Sequence, residues 1–210
     1  MSSAKISYLQ MFKNGIWGEN PVFRLALSLC PAVAVTTTVK NGLLMGVSVL
    51  FVLVMVNITI SLLKQFIHTR ARFPIFMFTI ATWVTVTDLV LSAYVRGLYH
   101  EIGLYIQLIV TYAIVFSRAE LVASKQKVIP SAIDGLSMGI GFTIALVLIS
   151  FIREILGKGA VVGIPFAEAS PFLLMLLPAG GFFIVGLLMA LLNWIDIRFL
   201  GKTPVSGGGH

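Results

Sequence analysis

The sequence predicts an all-α integral membrane protein with about six transmembrane helices, and three observations predict it. Apolar residues make up 58% of the 210-residue chain and charged residues only 11%, against about 45–50% and about 25% in soluble domains. Apolar stretches recur along nearly the whole length, each close to the ~20 residues a helix needs to cross a bilayer. The basic residues sit mostly in the short connections between those stretches, where membrane topology accounts for them. Together these exclude a soluble globular fold and an enzyme acting alone in solution.

In order, the spans read as roughly Val22 to Val39, Gly42 to Leu63, Phe73 to Val95, Ile102 to Ser117, Ala132 to Leu156 and Pro171 to Ile195. They form a single transmembrane domain over residues 1–200. A flexible, Gly-rich polar tail follows over 201–210, and its His210 reads as a lone terminal histidine rather than a ligand. The start, Met1 to Asn20, is polar and mixed, so no cleavable signal is expected and the first span inserts as it stands.

Two spans are irregular. The first carries Pro31 near its middle, then the β-branched, hydroxyl-rich run Thr36-Thr37-Thr38. Proline removes one backbone hydrogen bond and crowds the preceding turn. In lipid the freed backbone groups must be buried in protein or face a polar cavity. The fourth span is short and holds Gln107, Thr111 and Tyr112. Spans one and four occupy equivalent places in two three-helix halves, and an odd number of spans per half makes the halves run in opposite directions. Short or broken spans at corresponding positions predict two inverted repeats, with the site at their interface.

Counting Lys and Arg gives an orientation. With six spans, one side carries Lys5, Lys13, Arg24, Lys64, Arg70, Arg72, Arg118, Lys125, Lys127, Arg198 and Lys202, eleven of the fifteen. The other side carries Lys40, Arg96, Arg153 and Lys158. Basic residues accumulate on the cytoplasmic side, so both termini are expected there. The net charge of +7 is spread over these loops and clusters on no single element, which argues against nucleic acid as a partner.

Several polar residues stand out against the apolar background. Cys30 is the single cysteine, so no intrachain disulfide forms. It reads either as a small buried residue or as a thiolate ligand beside a broken half-helix, where exposed amides favour negative charge. One thiolate cannot hold an iron–sulfur cluster, so the second reading requires a partner chain. Asp88 lies inside the third span, where a carboxylate costs roughly 2.5–3.5 kcal/mol at a helix centre. It is either half of a hydrogen-bonded pair or part of an ion pathway. Asn57 and Asn193 read as interhelical hydrogen-bonding residues. Asp134-Gly135, Gly139 and Gly141 open the fifth span, and the glycines permit close helix approach. Arg153 and Glu154 are adjacent and cannot face each other on a helix, so each is expected to pair elsewhere. Arg118 and Glu120 flank the end of the fourth span and read as interfacial anchors. No phosphate-binding loop, catalytic triad or His/Glu metal spacing is present.

Three stretches resemble a known family. They are Asn20-Pro21 followed by Leu27-Ser28-Leu29-Cys30-Pro31-Ala32-Val33-Ala34-Val35-Thr36-Thr37; Ser117-Arg118-Ala119-Glu120 followed by Ala123-Ser124; and Pro130-Ser131, Asp134-Gly135, Gly139, Gly141, then Arg153-Glu154 with Gly157 and Gly159. In order and spacing, over nearly the whole chain, they resemble the E-type subunits of Rnf electron-transport complexes. That family is homologous to the D-type subunit of the sodium-translocating NADH:quinone oxidoreductase.

The resemblance implies a pseudo-symmetric pairing with the homologous A-type subunit, inserted the other way, alongside flavin- and iron–sulfur-bearing subunits. It implies a [2Fe-2S] cluster between broken helices, with two cysteines from each subunit, one from the first span and one from the fourth. It also implies a ferredoxin:NAD+ oxidoreductase coupled to Na+ or H+ translocation, in a bacterial or archaeal cytoplasmic membrane. Cys30 matches the first ligand. Where the family has an Asn-Cys pair upstream of Arg118-Ala119-Glu120, this chain has Thr111-Tyr112. Tyrosine can ligate iron, so Tyr112 is a substitute candidate. The remaining outcomes are a labile cluster, a ligand from the partner, or no cluster. The alternatives to an Rnf subunit are the D-type subunit of the quinone reductase, a secondary transporter, and a scaffold without a cluster.

Overall fold

The computed structural model describes residues 22, 27–64, 71–158, 160–161, 164–165 and 177–200. Within them the chain is helical apart from short turns and two paired antiparallel strands of two residues each. The order is α1 (Leu29–Ala34), α2 (Val39–Leu63), α3 (Arg72–Tyr94), α4 (Arg96–Gln107), a 3-10 turn (Leu108–Thr111), α5 (Ala113–Arg118), a π-helical turn (Ala119–Ala123), α6 (Val128–Lys158), β1 (Ala160–Val161), β2 (Ile164–Pro165) and α7 (Pro178–Leu200).

Five helical stretches among the described residues are long and apolar enough to cross a membrane: Val39–Leu63, Arg72–Tyr94, Tyr99–Ala123, Val128–Gly157 and Pro178–Ile195. They correspond to the second through sixth spans of the sequence. The first span is represented by the half-helix α1, and most of its N-terminal part lies outside the described residues. So do residues 171–176 of the last span, the tail 201–210, and the N-terminal segment before Val22. The helix of the fifth span begins at Val128, four residues before the expected start. Pro130 sits in its first turn, where proline's missing N–H removes nothing the helix would use.

α2 and α6 pack against each other along most of their lengths and form the centre of the bundle. They run antiparallel. Gly42 lies opposite Ser150, Gly46 opposite Thr143, Gly139 opposite Leu50 and Gly135 opposite Leu53 and Asn57. These are the middle helices of the two halves, and antiparallel packing of equivalent helices is what inverted repeats require. Hydrogen bonds add to the seam: Asn57 Nδ2 donates to the Ser131 carbonyl at 3.1 Å, and Ser131 Oγ returns one to the Asn57 carbonyl at 3.4 Å. Val49, Val52, Leu53 and Val56 of α2 meet Phe142, Ala145, Leu146 and Ile149 of α6 in the buried core. Large apolar side chains such as Phe78, Leu89, Leu104 and Leu187 point outward, as suits a surface solvated by lipid tails or by partner helices.

The close approach gives a stability prediction. A Cβ at position 139 would lie 2.9 Å from the Leu50 Cα, a backbone atom that cannot swing aside. Overpacking of this kind costs about 1–3 kcal/mol. Gly139→Ala is therefore expected to lower the thermal midpoint of the detergent-solubilised protein. An unchanged midpoint would mean that α2 and α6 can part at no cost.

Candidate functional site at the paired helix breaks

Pro31, expected to break the first span, is instead the third residue of α1, where its missing N–H removes no helical bond. The first break lies between α1 and α2, over the β-branched residues that follow. Thr38 takes an extended conformation and caps α2, its side chain accepting from the Asn41 N–H at 3.4 Å. Thr36 is buried and its hydroxyl turns back to the Ala32 carbonyl. The remaining backbone groups find partners on α6. Arg153 Nη1 donates to the Val33 carbonyl and, at 2.9 Å, to Thr36 Oγ1, and its Nη2 reaches the Leu177 carbonyl at 3.4 Å. Glu154 Oε2 accepts from the Val39 N–H at 2.8 Å.

The two adjacent side chains thus reach opposite ends of one break, in keeping with the expectation that each pairs elsewhere. The guanidinium meets the C-terminal end of α1 and the carboxylate meets the N-terminal end of α2. Each charge faces the helix pole that attracts it. Both residues are almost wholly buried, at 1% and 3% exposure.

The second break lies between α4 and α5. Its 3-10 turn contains the β-branched run Ile109-Val110-Thr111, and Tyr112 is extended, with ψ of 121°. Both spans expected to be interrupted are interrupted.

The breaks meet. Ser28, immediately before α1, has a φ of 59°, in the left-handed region that a serine seldom occupies. Its Oγ accepts a hydrogen bond from the Ile114 N–H at 3.2 Å. Ile114 is the second residue of α5, so the N-terminal ends of two half-helices, one from each half, converge on one hydroxyl. Both ends carry partial positive charge.

Cys30, the second residue of α1, is a free thiol exposed beside this junction. Thr111 and Ala113 are exposed on the same break, whereas Tyr112 is buried, at 5% exposure. The Tyr112 hydroxyl donates to the Tyr105 carbonyl at 3.1 Å. Among the described residues, no three His, Cys, Asp or Glu side chains gather into a group that could hold a metal ion.

The other residues singled out in the sequence lie elsewhere. Asp88 is half-buried on α3 and accepts from Tyr99 Oη at 2.8 Å and Gln107 Nε2 at 3.4 Å, which ties α3 to α4. Arg118 is not an interfacial anchor: it is buried, and its Nε lies 3.8 Å from Asp134 Oδ2 on α6. Glu120, by contrast, is exposed. Asn57 makes the expected interhelical bond, while Asn193 is exposed on α7. Sequence reasoning passes over Ser28. No local pattern carries the signal, because the bond is to an amide 86 residues away.

Two broken helices whose N-terminal ends meet inside a bundle of apolar spans define a polytopic membrane subunit of the transport or electron-carrying kind. The chain belongs to the Rnf-Nqr family, described as "Rnf-Nqr subunit, membrane protein", which matches residues 8–189. It is 48% identical over 185 residues, covering 87% of each chain, to the E-type subunit of the proton-translocating ferredoxin:NAD(+) oxidoreductase complex of Clostridium ljungdahlii. It is 42% identical over 210 residues to the E-type subunit of the ion-translocating oxidoreductase complex of Vibrio parahaemolyticus, covering 93% of this chain and 91% of the relative. The protein of the same description from Rhodobacter capsulatus is 44% identical over 211 residues, covering 91% and 85%.

Proposed function

We propose that this chain is the E-type membrane subunit of an ion-translocating ferredoxin:NAD+ oxidoreductase and forms part of the electron path through the membrane. The observation that carries this reading is the junction of the two half-helices, with a free thiol exposed beside it, in a chain of this family. Its ends favour negative charge, and a thiolate-bound cluster is negatively charged. Cys30 suits the role of one ligand to a [2Fe-2S] cluster shared with the homologous A-type subunit, whose residues would complete the set. Such a cluster, when bound, supplies one-electron storage and transfer. Tyr112 enters the ligand set only by giving up its bond to Tyr105, so the donor geometry favours Cys30 and not Tyr112.

In this reading the residues around the thiol position it. Ser28 fixes the start of α1 against α5, and the buried core around the second break excludes water from one side. The partners are the other Rnf subunits, among them those bearing flavin and iron–sulfur centres. The location is a bacterial or archaeal cytoplasmic membrane with both termini on the cytoplasmic side, as the distribution of Lys and Arg supports.

The test is deletion of this chain followed by complementation. Membranes lacking it should lose ferredoxin-dependent NAD+ reduction and the ion gradient that accompanies it, and the wild-type chain should restore both. If both persist in the deletion, or if quinone rather than NAD+ is the acceptor, the assignment fails. Within this reading Asp88 belongs to the ion path, as a carboxylate held in an apolar span by two neutral donors. Asp88→Asn keeps the Tyr99 bond but loses the charge. It is expected to leave assembly intact and lower ions moved per electron several-fold. Equal stoichiometry in the variant would reduce Asp88 to a structural hydrogen-bond acceptor.

A further inference from the structure

The half-helix that presents Cys30 is six residues long. Isolated helices shorter than about 12–15 residues are marginal even with good helix formers, so α1 does not hold itself in place. What fixes it are its two ends and the helices it lies on, α6 and α7. The N-terminal end is tied through Ser28 Oγ to α5. The C-terminal end is held by Arg153, which joins the Val33 carbonyl, the Thr36 hydroxyl and the Leu177 carbonyl just before α7, and by the Thr36 hydroxyl's own bond to the Ala32 carbonyl.

The guanidinium is tightly seated. A Cβ added at Gly181 of α7 would come within 2.9 Å of Val33 Cγ1 and 3.3 Å of the Arg153 Cζ. The planar fork suits this place, because its donors reach separated acceptors at once, which an ammonium on a flexible stem does not reproduce. Glu154, from the next residue, holds the N-terminal end of α2 across the same break. One point on α6 therefore sets both sides of the break.

We propose that Arg153 is a positioning residue for Cys30. By gripping the C-terminal end of α1 it sets where and how the thiol, one turn away, meets whatever lies across the junction. This rests on the proposed function in taking the thiol as the functional atom, but the position of Cys30 can be read without any cluster. Cys30 is the single cysteine of the chain, so alkylation of this subunit reports on one sulfur.

The experiment uses the whole complex, purified through a tag on this chain. Arg153→Lys keeps the charge and loses the fork, Arg153→Gln loses both, and Thr36→Val removes one acceptor, together with the hydroxyl's bond to the Ala32 carbonyl, while leaving the arginine in place. The rate at which a maleimide modifies Cys30 is followed by the mass of this subunit, before and after iron is removed with a chelator. The electron paramagnetic resonance spectrum of the reduced complex is recorded in parallel.

With the subunits still co-purifying in wild-type proportion, Arg153→Gln is expected to change the alkylation rate after chelation about tenfold or more. Arg153→Lys and Thr36→Val should change it by smaller factors in the same direction. Any cluster signal should shift or broaden in the same order. A merely structural arginine would alter yield or melting and leave the rate per assembled complex unchanged. Wild-type rates in Arg153→Lys and Thr36→Val would overturn the proposal, even if Arg153→Gln failed to assemble. If Cys30→Ser leaves the cluster spectrum intact, the ligand reading fails, and the alkylation rates still decide whether Arg153 positions the thiol.

Discussion

Cys30→Ser is expected to abolish the [2Fe-2S] signal of the reduced complex while the other subunits still co-purify. It should lower ferredoxin-dependent NAD+ reduction at least about 10–100-fold, the scale on which perturbing a metal site acts. The substitution exchanges sulfur for oxygen at an exposed position, so no core contact is lost and folding should be preserved. The chemistry changes much more. A cysteine sulfur bound to iron is a soft ligand suited to iron–sulfur centres. A serine hydroxyl is a poor replacement. The two half-helix ends remain in place, which isolates the ligand atom as the variable. A spectrum and a turnover equal to wild type would remove Cys30 from the electron path and leave the subunit an ion-path or scaffold role.

The membrane architecture is legible in the sequence because its cause is local. About twenty apolar residues in a row suffice to specify a span, and the run Thr36-Thr37-Thr38 marks where the first one breaks. Pro31 does not, because in the first turn of α1 it removes no helical bond. The inverted repeat can also be read, since its evidence is the position of two irregular spans along the chain. What satisfies the breaks cannot be read. The Val33 carbonyl is 120 residues from Arg153, and the Ile114 amide is 86 residues from Ser28. Such contacts depend on how the two halves dock, which no local pattern records. Adjacency alone requires Arg153 and Glu154 to part company, because neighbours on a helix point in different directions. It gives no means of finding that both turn toward one break. Arg118 misleads for a related reason. At the end of an apolar run a basic residue ordinarily snorkels to the headgroups, and only the packing of α5 and its π-helical turn onto α6 brings Asp134 beside it.

The Arg118–Asp134 pair should give a larger stability effect than the glycine seam. Both side chains are close to nine-tenths buried, at 10% and 13% exposure, and Nε lies 3.8 Å from Oδ2. Removing one partner of a buried pair costs about 3–5 kcal/mol, because the other charge stays buried with less compensation. Asp134→Ala and Arg118→Ala are each expected to cut the yield of assembled complex and its thermal midpoint sharply, well beyond Gly139→Ala. The charges sit where the second broken helix hands over to α6, so their separation should loosen the base on which α5 stands and disturb the junction with Ser28.

The double variant, Arg118→Ala with Asp134→Ala, removes both charges and should be destabilised by less than the sum of the two single changes, since their mutual attraction is then counted once. Asp134→Asn should fall between wild type and Asp134→Ala, because the amide keeps an acceptor oxygen but loses the charge. Thermal denaturation of the four variants in one detergent measures all these quantities. If the single losses add fully in the double variant, the two charges act independently. In that case the long 3.8 Å contact contributes nothing, and the burial of Arg118 must be supported by its other contacts.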